Sequence, residues 1–149
     1  GKETEKLQAL INKLDLGDKV VLTGLVKSSG MTGGENDLLA NIYRSSQVYI
    51  SAGVAENAEG LSLALLDAMA AGLPIVATNI SGNRDVVVEG KNGYLVNPSD
   101  SEQMAERILC VLSDTTLQYE MSGESRRIAS NFDWREIAEE YLKLYQMLL

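Results

Sequence analysis

Apolar positions along the chain follow two alternating rhythms. Leu7, Leu10, Ile11 and Leu14 stand at i, i+3, i+4 and i+7, which predicts an amphipathic helix over residues 3–14. Lys19 to Gly24 (KVVLTG) is a short β-branched run closed by glycine and reads as a buried strand. Residues 27–36, KSSGMTGGEN, have the glycine and small-polar content of a loop. Asn36 or Asp37 then caps a helix with Leu38, Leu39, Ile42 and Tyr43 on its buried face. Val48 to Ser51 is a second strand, followed by a loop through Glu59 and an apolar helix that Gly72 stops just after Ala71.

The alternation continues downstream. Residues 74–78 (PIVAT) and 94–96 are strands, with a short helix within 81–88. Ser99 and Glu102 form an S-x-x-E capping box ahead of Met104, Ala105, Ile108 and Leu112. Residues 117–130 are helical with a weaker pattern. A last helix over about 133–148, capped by Asp133 and Glu136, carries Trp134, Ile137, Ala138, Tyr141, Tyr145 and Leu148 in one stripe. Short apolar strands separated by helices imply a parallel sheet covered on both faces, an α/β fold of Rossmann-like type.

Composition narrows the classes of function. The chain has 149 residues, room for one domain, and its hydrophobic fraction of 45% supports a packed core. A net charge of −8 disfavours binding to phosphate backbones, so no nucleic-acid partner is expected. With no histidine in this chain, it supplies no histidine base and no histidine metal ligand, and no metal site is expected. One cysteine, Cys110, excludes an internal disulfide and fits a reducing, cytoplasmic compartment. No apolar run approaches the ~20 residues that span a bilayer, and the charged N-terminus lacks the apolar core of a signal peptide.

In open α/β sheets ligands bind beyond the carboxyl ends of the strands, which directs attention to loops 24–36, 51–62, 78–83 and 97–99. The passage from Ser51 to Pro74 is the richest. Glu59 and Gly60 stand just before a helix and Asp67 stands along it. Eight helical residues would separate the two acids by ~12 Å, the reach of a nucleotide diphosphate sugar. Between them, amides near Gly60 to Leu63 at the positive end of the helix dipole would suit a diphosphate. Spacing alone leaves the ordinary reading open, with Glu59 a cap and Asp67 on a solvated face. The apolar neighbours Leu65, Leu66, Ala68 and Met69 argue that Asp67 needs a partner or ligand. Arg84 is the nearest cation for a diphosphate, with a surface salt bridge as its plainer role. Glu35 and Asp37 read as loop solvation, Cys110 as a packing residue, and Trp134 as packing rather than sugar stacking.

The ordered segments EGLSLALLDAMAAGLPIVAT and SGNRDVVVEGKNGYLVNPSD resemble the donor-binding half of GT-B-fold glycosyltransferases of the family 4 type. That family carries E-x7-E, AMA-x-G-x-P, G-x-x-E/D and G-x-x-G-x-L-V segments. They match Glu59…Asp67, Ala68 to Pro74, Gly82…Asp85 and Gly90…Val96.

The resemblance implies an enzyme that transfers a sugar, usually a hexose, from a nucleotide-diphosphate donor. Transfer would proceed with retention and without an essential metal or further cofactor. It implies that Glu59 is the catalytic-site acid at the donor-sugar hydroxyls. Gly60, Leu61, Ser62 and Leu63 would offer amides to the diphosphate, and Asp67 would accept from the ribose hydroxyls. Leu25 and Val26, after Gly24, would meet the nucleobase through their backbone. Asp67 is one methylene shorter than the family glutamate.

The family's donor domain opens with two further strands and a G-R-x…K-G segment that are absent here, and residues 1–7 resemble the helix that follows them. The chain is therefore expected to be a partial donor domain lacking its acceptor-binding N-terminal partner and inactive by itself. In the strand order 3-2-1-4-5-6, residues 19–24 would be strand 3, leaving a gap that other polypeptide, a homodimer or a rearranged order would fill. Peripheral membrane association would belong to the missing half. The rival reading is a non-catalytic nucleotide-sugar-binding or regulatory module on the same fold, with a nucleotide-sugar epimerase more distant.

Overall fold

The computed structural model describes residues 3–26, 37–54 and 60–148. The chain divides into two compact units, 1–41 and 42–149. The first contains α1 (Thr4–Lys13) and the start of α2 (Leu38–Ser45). In α1, Ile11 is buried, while Leu7, Leu10 and Leu14 are each about half exposed. Asp37 is buried and its Oδ1 accepts from the Ala40 amide at 3.1 Å, so it is the N-cap of α2 rather than a solvated loop acid. Glu35 and the 27–36 loop lie outside the described residues.

The expected strand over 19–24 does not form. The Leu16 carbonyl accepts from the Lys19 and Val20 amides in a turn, and residues 20–26 continue without regular structure. The run has strand-forming residues, but a strand exists only where a neighbour takes its backbone groups. Within this unit the run has no described strand to pair with, and Val21 and Leu25 are exposed.

The second unit is built on a three-stranded parallel sheet, β1 (Tyr49–Ser51), β2 (Ile75–Thr78) and β3 (Gly93–Val96), in the order β1-β2-β3. Tyr49 pairs with Ile75, and Ile75 with Gly93. All four residues of β2 are buried because both faces are covered. Ile75 and Ala77 pack with Leu65, Ala68 and Met69 of α3 (Leu63–Ala70), Val86 of α4 (Asn83–Val86) and Ile128 of α6 (Thr115–Ser130). Val76 instead packs with Val96, Val111 of α5 (Ser101–Ser113) and Met121 of α6. Alternation along one strand thus feeds two cores. At the outer edge of β3, Glu89 Oε2 accepts from the Leu95 amide at 2.8 Å and occupies a donor that an added strand would need.

Helix ends follow local chemistry. At the end of α3 the Leu73 amide bonds Ala68 O and the Gly72 amide bonds Met69 O, with Gly72 at φ +83°: a Schellman motif. The Arg126 guanidinium lies where a Cβ on Gly72 would sit. Asp100, not Ser99, caps α5, accepting from the Gln103 amide at 2.9 Å; Ser99 takes φ +65° in the turn before it. Asp114 ends α5 and caps α6, which starts two residues before the expected 117. The last helix, α7 (Trp134–Leu148), contains no buried residue, so its apolar stripe faces outward in this chain. Cys110 is half-buried, 3.9 Å from the Tyr94 hydroxyl. Among the described residues no helix is long and apolar enough to cross a membrane.

Candidate functional site

Parallel strands with crossover helices put every strand's carboxyl end on one side, and there the chain leaves β1 at Ser51, β2 at Thr78 and β3 at Val96. Loop 97–99 helps line a hollow of about 140 Å³ together with Ala52, Val54, Thr78 and Met104.

The central feature is the segment entering α3. Gly60 is exposed, and Ser62, extended at φ −73° and ψ 123°, occupies the N-cap position without a side-chain capping bond. Its carbonyl accepts from the Leu65 and Leu66 amides at 3.1 and 3.2 Å. Residues Gly60 to Leu63 therefore stand at the positive end of an uncapped helix dipole. Asp67 lies one turn further. Since α3 begins at Leu63 and Gly60 to Ser62 are not helical, the expected eight-residue helical rise between the two acids does not form; from Leu63 to Asp67 the helix rises ~6 Å. Glu59 itself falls outside the described residues.

Asp67 is exposed, which corrects the expectation of apolar confinement. Leu65, Ala68 and Met69 turn into the core on the opposite face of α3. Asp67 rims a cavity of about 420 Å³ shared with Leu63, Leu66, Arg126, Phe132 and Trp134. Arg126 comes from α6 and Trp134 from the first turn of α7, far away in sequence, so no local pattern pairs them with Asp67. Trp134 is 70% exposed on this rim rather than packed in a core. Nearby, the Tyr43 hydroxyl donates to Ala64 O at 3.4 Å, and burial, Tyr49 and the Asp67 charge raise its pKa above the ordinary phenol value.

The other predicted site residues belong to other segments of the chain. Leu25 and Val26 follow Gly24 (φ +63°) in the first unit, with Leu25 89% exposed. The second unit alone brings Gly60 to Leu63 and Asp67 together. Arg84 donates to Asn79 O at 3.2 Å and to Asn79 Oδ1 at 3.4 Å, which anchors it to its own turn. Among the described residues there is no group of three potential metal-ligating His, Cys, Asp or Glu side chains.

The spore coat protein SA of Bacillus subtilis is 38% identical over 110 residues, 72% of this chain and 29% of that protein. The sucrose-phosphate synthase of Thermosynechococcus elongatus superimposes with a TM-score of 0.82 at 26% identity, covering 99% of this chain and 35% of that one. The pneumococcal O-GlcNAc transferase GtfA, solved with UDP and GlcNAc, superimposes with a TM-score of 0.78 at 26% identity, covering 97% of this chain and 27% of that one. The chain thus spans about a third or less of the length of these proteins. Its fold matches the Rossmann-like C-terminal domain of GT-B glycosyltransferases. The sequence profile described as glycosyl transferases group 1 matches residues 1–114, and the chain belongs to that family.

Proposed function

We propose that this chain is the donor-binding part of a glycosyltransferase that moves a sugar, a hexose in our reading, from a nucleotide diphosphate to an acceptor hydroxyl. Retention of anomeric configuration and independence from metal and further cofactor belong to the same proposal. The observation that carries it is the pairing of the uncapped α3 N-terminus with Asp67 beside a cavity of about 420 Å³, in a chain of this family. A pneumococcal relative on the same fold, solved with UDP, supports the choice of ligand.

In this reading the Gly60 to Leu63 amides face the diphosphate and stabilise its growing charge as the bond from the anomeric carbon to the phosphate oxygen breaks. Asp67 accepts from the ribose hydroxyls and fixes the nucleoside. Glu59 contacts the sugar hydroxyls, and Leu25 and Val26 meet the base. The acceptor is held by polypeptide outside this chain, in a cytoplasmic protein, and without it this chain binds donor but does not turn over.

The test is a titration of the chain with UDP, GDP and ADP, read by amide NMR and by fluorescence of Trp134, the only tryptophan. Saturable shifts at Gly60 to Leu63 are expected with one base preferred. Asp67→Ala should weaken binding by about tenfold or more, the worth of a charge-assisted hydrogen bond. A flat response from folded protein would refute the donor-binding role. Nucleotide binding without sugar transfer by a longer protein containing this chain would favour the non-catalytic module.

A further inference from the structure

The turn after β2 touches the donor-side segment at two places. An ideal Cβ on Gly53 would come 3.0 Å from Ile80 Cδ1, so the outgoing arm after β1 rests on the Ile80 side chain. An ideal Cβ on Gly82 would come 2.5 Å from Gly60 O, 2.8 Å from Gly60 C and 3.1 Å from Leu61 N. The arm entering α3 therefore lies directly against the Gly82 backbone. Gly82 has φ +81° and ψ −49°, a conformation open to glycine and strained for other residues. The turn beneath is firmly tied. Buried Asn83 donates from Nδ2 to Thr78 O at 2.9 Å, and the Arg84 amide donates to Ile80 O at 3.2 Å.

We propose that residues 79–82 are a platform that sets the position of the Gly60–Leu61 backbone, with Gly82 as a positioning residue for diphosphate binding. The inference rests on the donor-binding reading above. Backbone cannot yield as a flexible side chain can, so any side chain at 82 must push the Gly60–Leu61 peptide away. That displaces the amides at the start of α3 from where an anion would meet them. Displacements of this size in a binding constellation change affinity steeply.

The experiment compares Gly82→Ala with Gly90→Ala in the 149-residue chain. Gly90 also has positive φ (+70°), but nothing lies within 4 Å of its would-be Cβ, so it reports backbone strain without collision. Both variants should lose thermal stability. Without ligand, only Gly82→Ala should shift the Gly60 and Leu61 amide resonances. With UDP, its Kd should rise by about tenfold or more, while Gly90→Ala should stay within about twofold, as distant sites act independently. Should Gly82→Ala not fold, Asn83→Ala frees the turn carrying Gly82 from Thr78 O and should shift the Gly60 and Leu61 amides and raise the UDP Kd by about threefold or more. Unmoved Gly60 and Leu61 resonances, or a Kd equal to that of Gly90→Ala or of the parent, would overturn the platform. A parent chain that binds no nucleotide would overturn the donor-binding reading instead, and the ligand-free resonances would still judge the platform.

Discussion

Asn92 gives the sharpest test of how the region between α4 and β3 is held. Its side chain is fully buried. It donates from Nδ2 to Val86 O at 3.0 Å and accepts at Oδ1 from the Val88 amide at 2.8 Å, while its own carbonyl accepts from the Ile75 amide entering β2. Asn92→Ala deletes both side-chain bonds. The buried Val86 carbonyl should cost about 1–3 kcal/mol when orphaned, and the partly buried Val88 amide about 1 kcal/mol, because water can replace part of its bond. The sum is about 2–4 kcal/mol, which at a urea m-value of about 2 kcal/mol/M lowers the midpoint by about 1–2 M.

Asn92→Asp separates donor from acceptor. The protonated carboxyl can still donate to Val86 O, whereas the carboxylate cannot and sets its charge against that carbonyl. Its folded-state pKa is raised above the unfolded value of about 3.9. The variant's stability relative to the parent should therefore be highest below that unfolded value and fall as pH rises through the folded one. Urea melts at several pH values read both effects. An Asn92→Ala midpoint within about 0.3 M of the parent, or an Asn92→Asp deficit independent of pH, would refute this account.

Two further outcomes follow from local geometry. Gly123→Ala, inside α6 with open space around its Cβ, should stabilise by about 1 kcal/mol, whereas Gly72→Ala should destabilise by about 1–2 kcal/mol and displace Arg126; thermal melts should give opposite signs. The Glu124 carboxyl is held below its ordinary value by its hydrogen bonds from Arg127 at 2.8 and 2.7 Å, so its contribution is present above the unfolded pKa and lost as pH falls through the folded one. Arg127→Ala should return its carboxyl NMR titration to the ordinary range.

Much of the second unit was legible because its signals are local. The apolar runs at 48–51, 74–78 and 94–96 mark strands to within a residue, since strands buried on both faces must be apolar throughout. Gly72 marks the end of α3 because a left-handed residue there favours glycine. Ordered motifs over 59–100 were enough to indicate the family, and the profile match agrees with them. The sequence puts Gly60 just before a helix start and Asp67 two turns along it, whereas α3 begins at Leu63 and Asp67 stands one turn in.

Tertiary structure decided what depends on neighbours distant along the chain. Residues 19–24 have strand composition and yet form no strand, because a ladder needs a partner and composition does not provide one. The cap of α5 fell to Asp100 rather than Ser99, since the turn leaving β3 sets which oxygen reaches the Gln103 amide. Asp67 looks confined among apolar neighbours, but helical periodicity sends Leu65, Ala68 and Met69 inward and leaves Asp67 on the rim of a cavity that it shares with Leu66, Arg126 and Trp134. The contact of Gly82 with Gly60 spans the β2 crossover and exists only once β1 and β2 are paired. Local propensity and periodicity are written residue by residue, whereas which surfaces meet follows from chain crossings, and only the folded chain carries those.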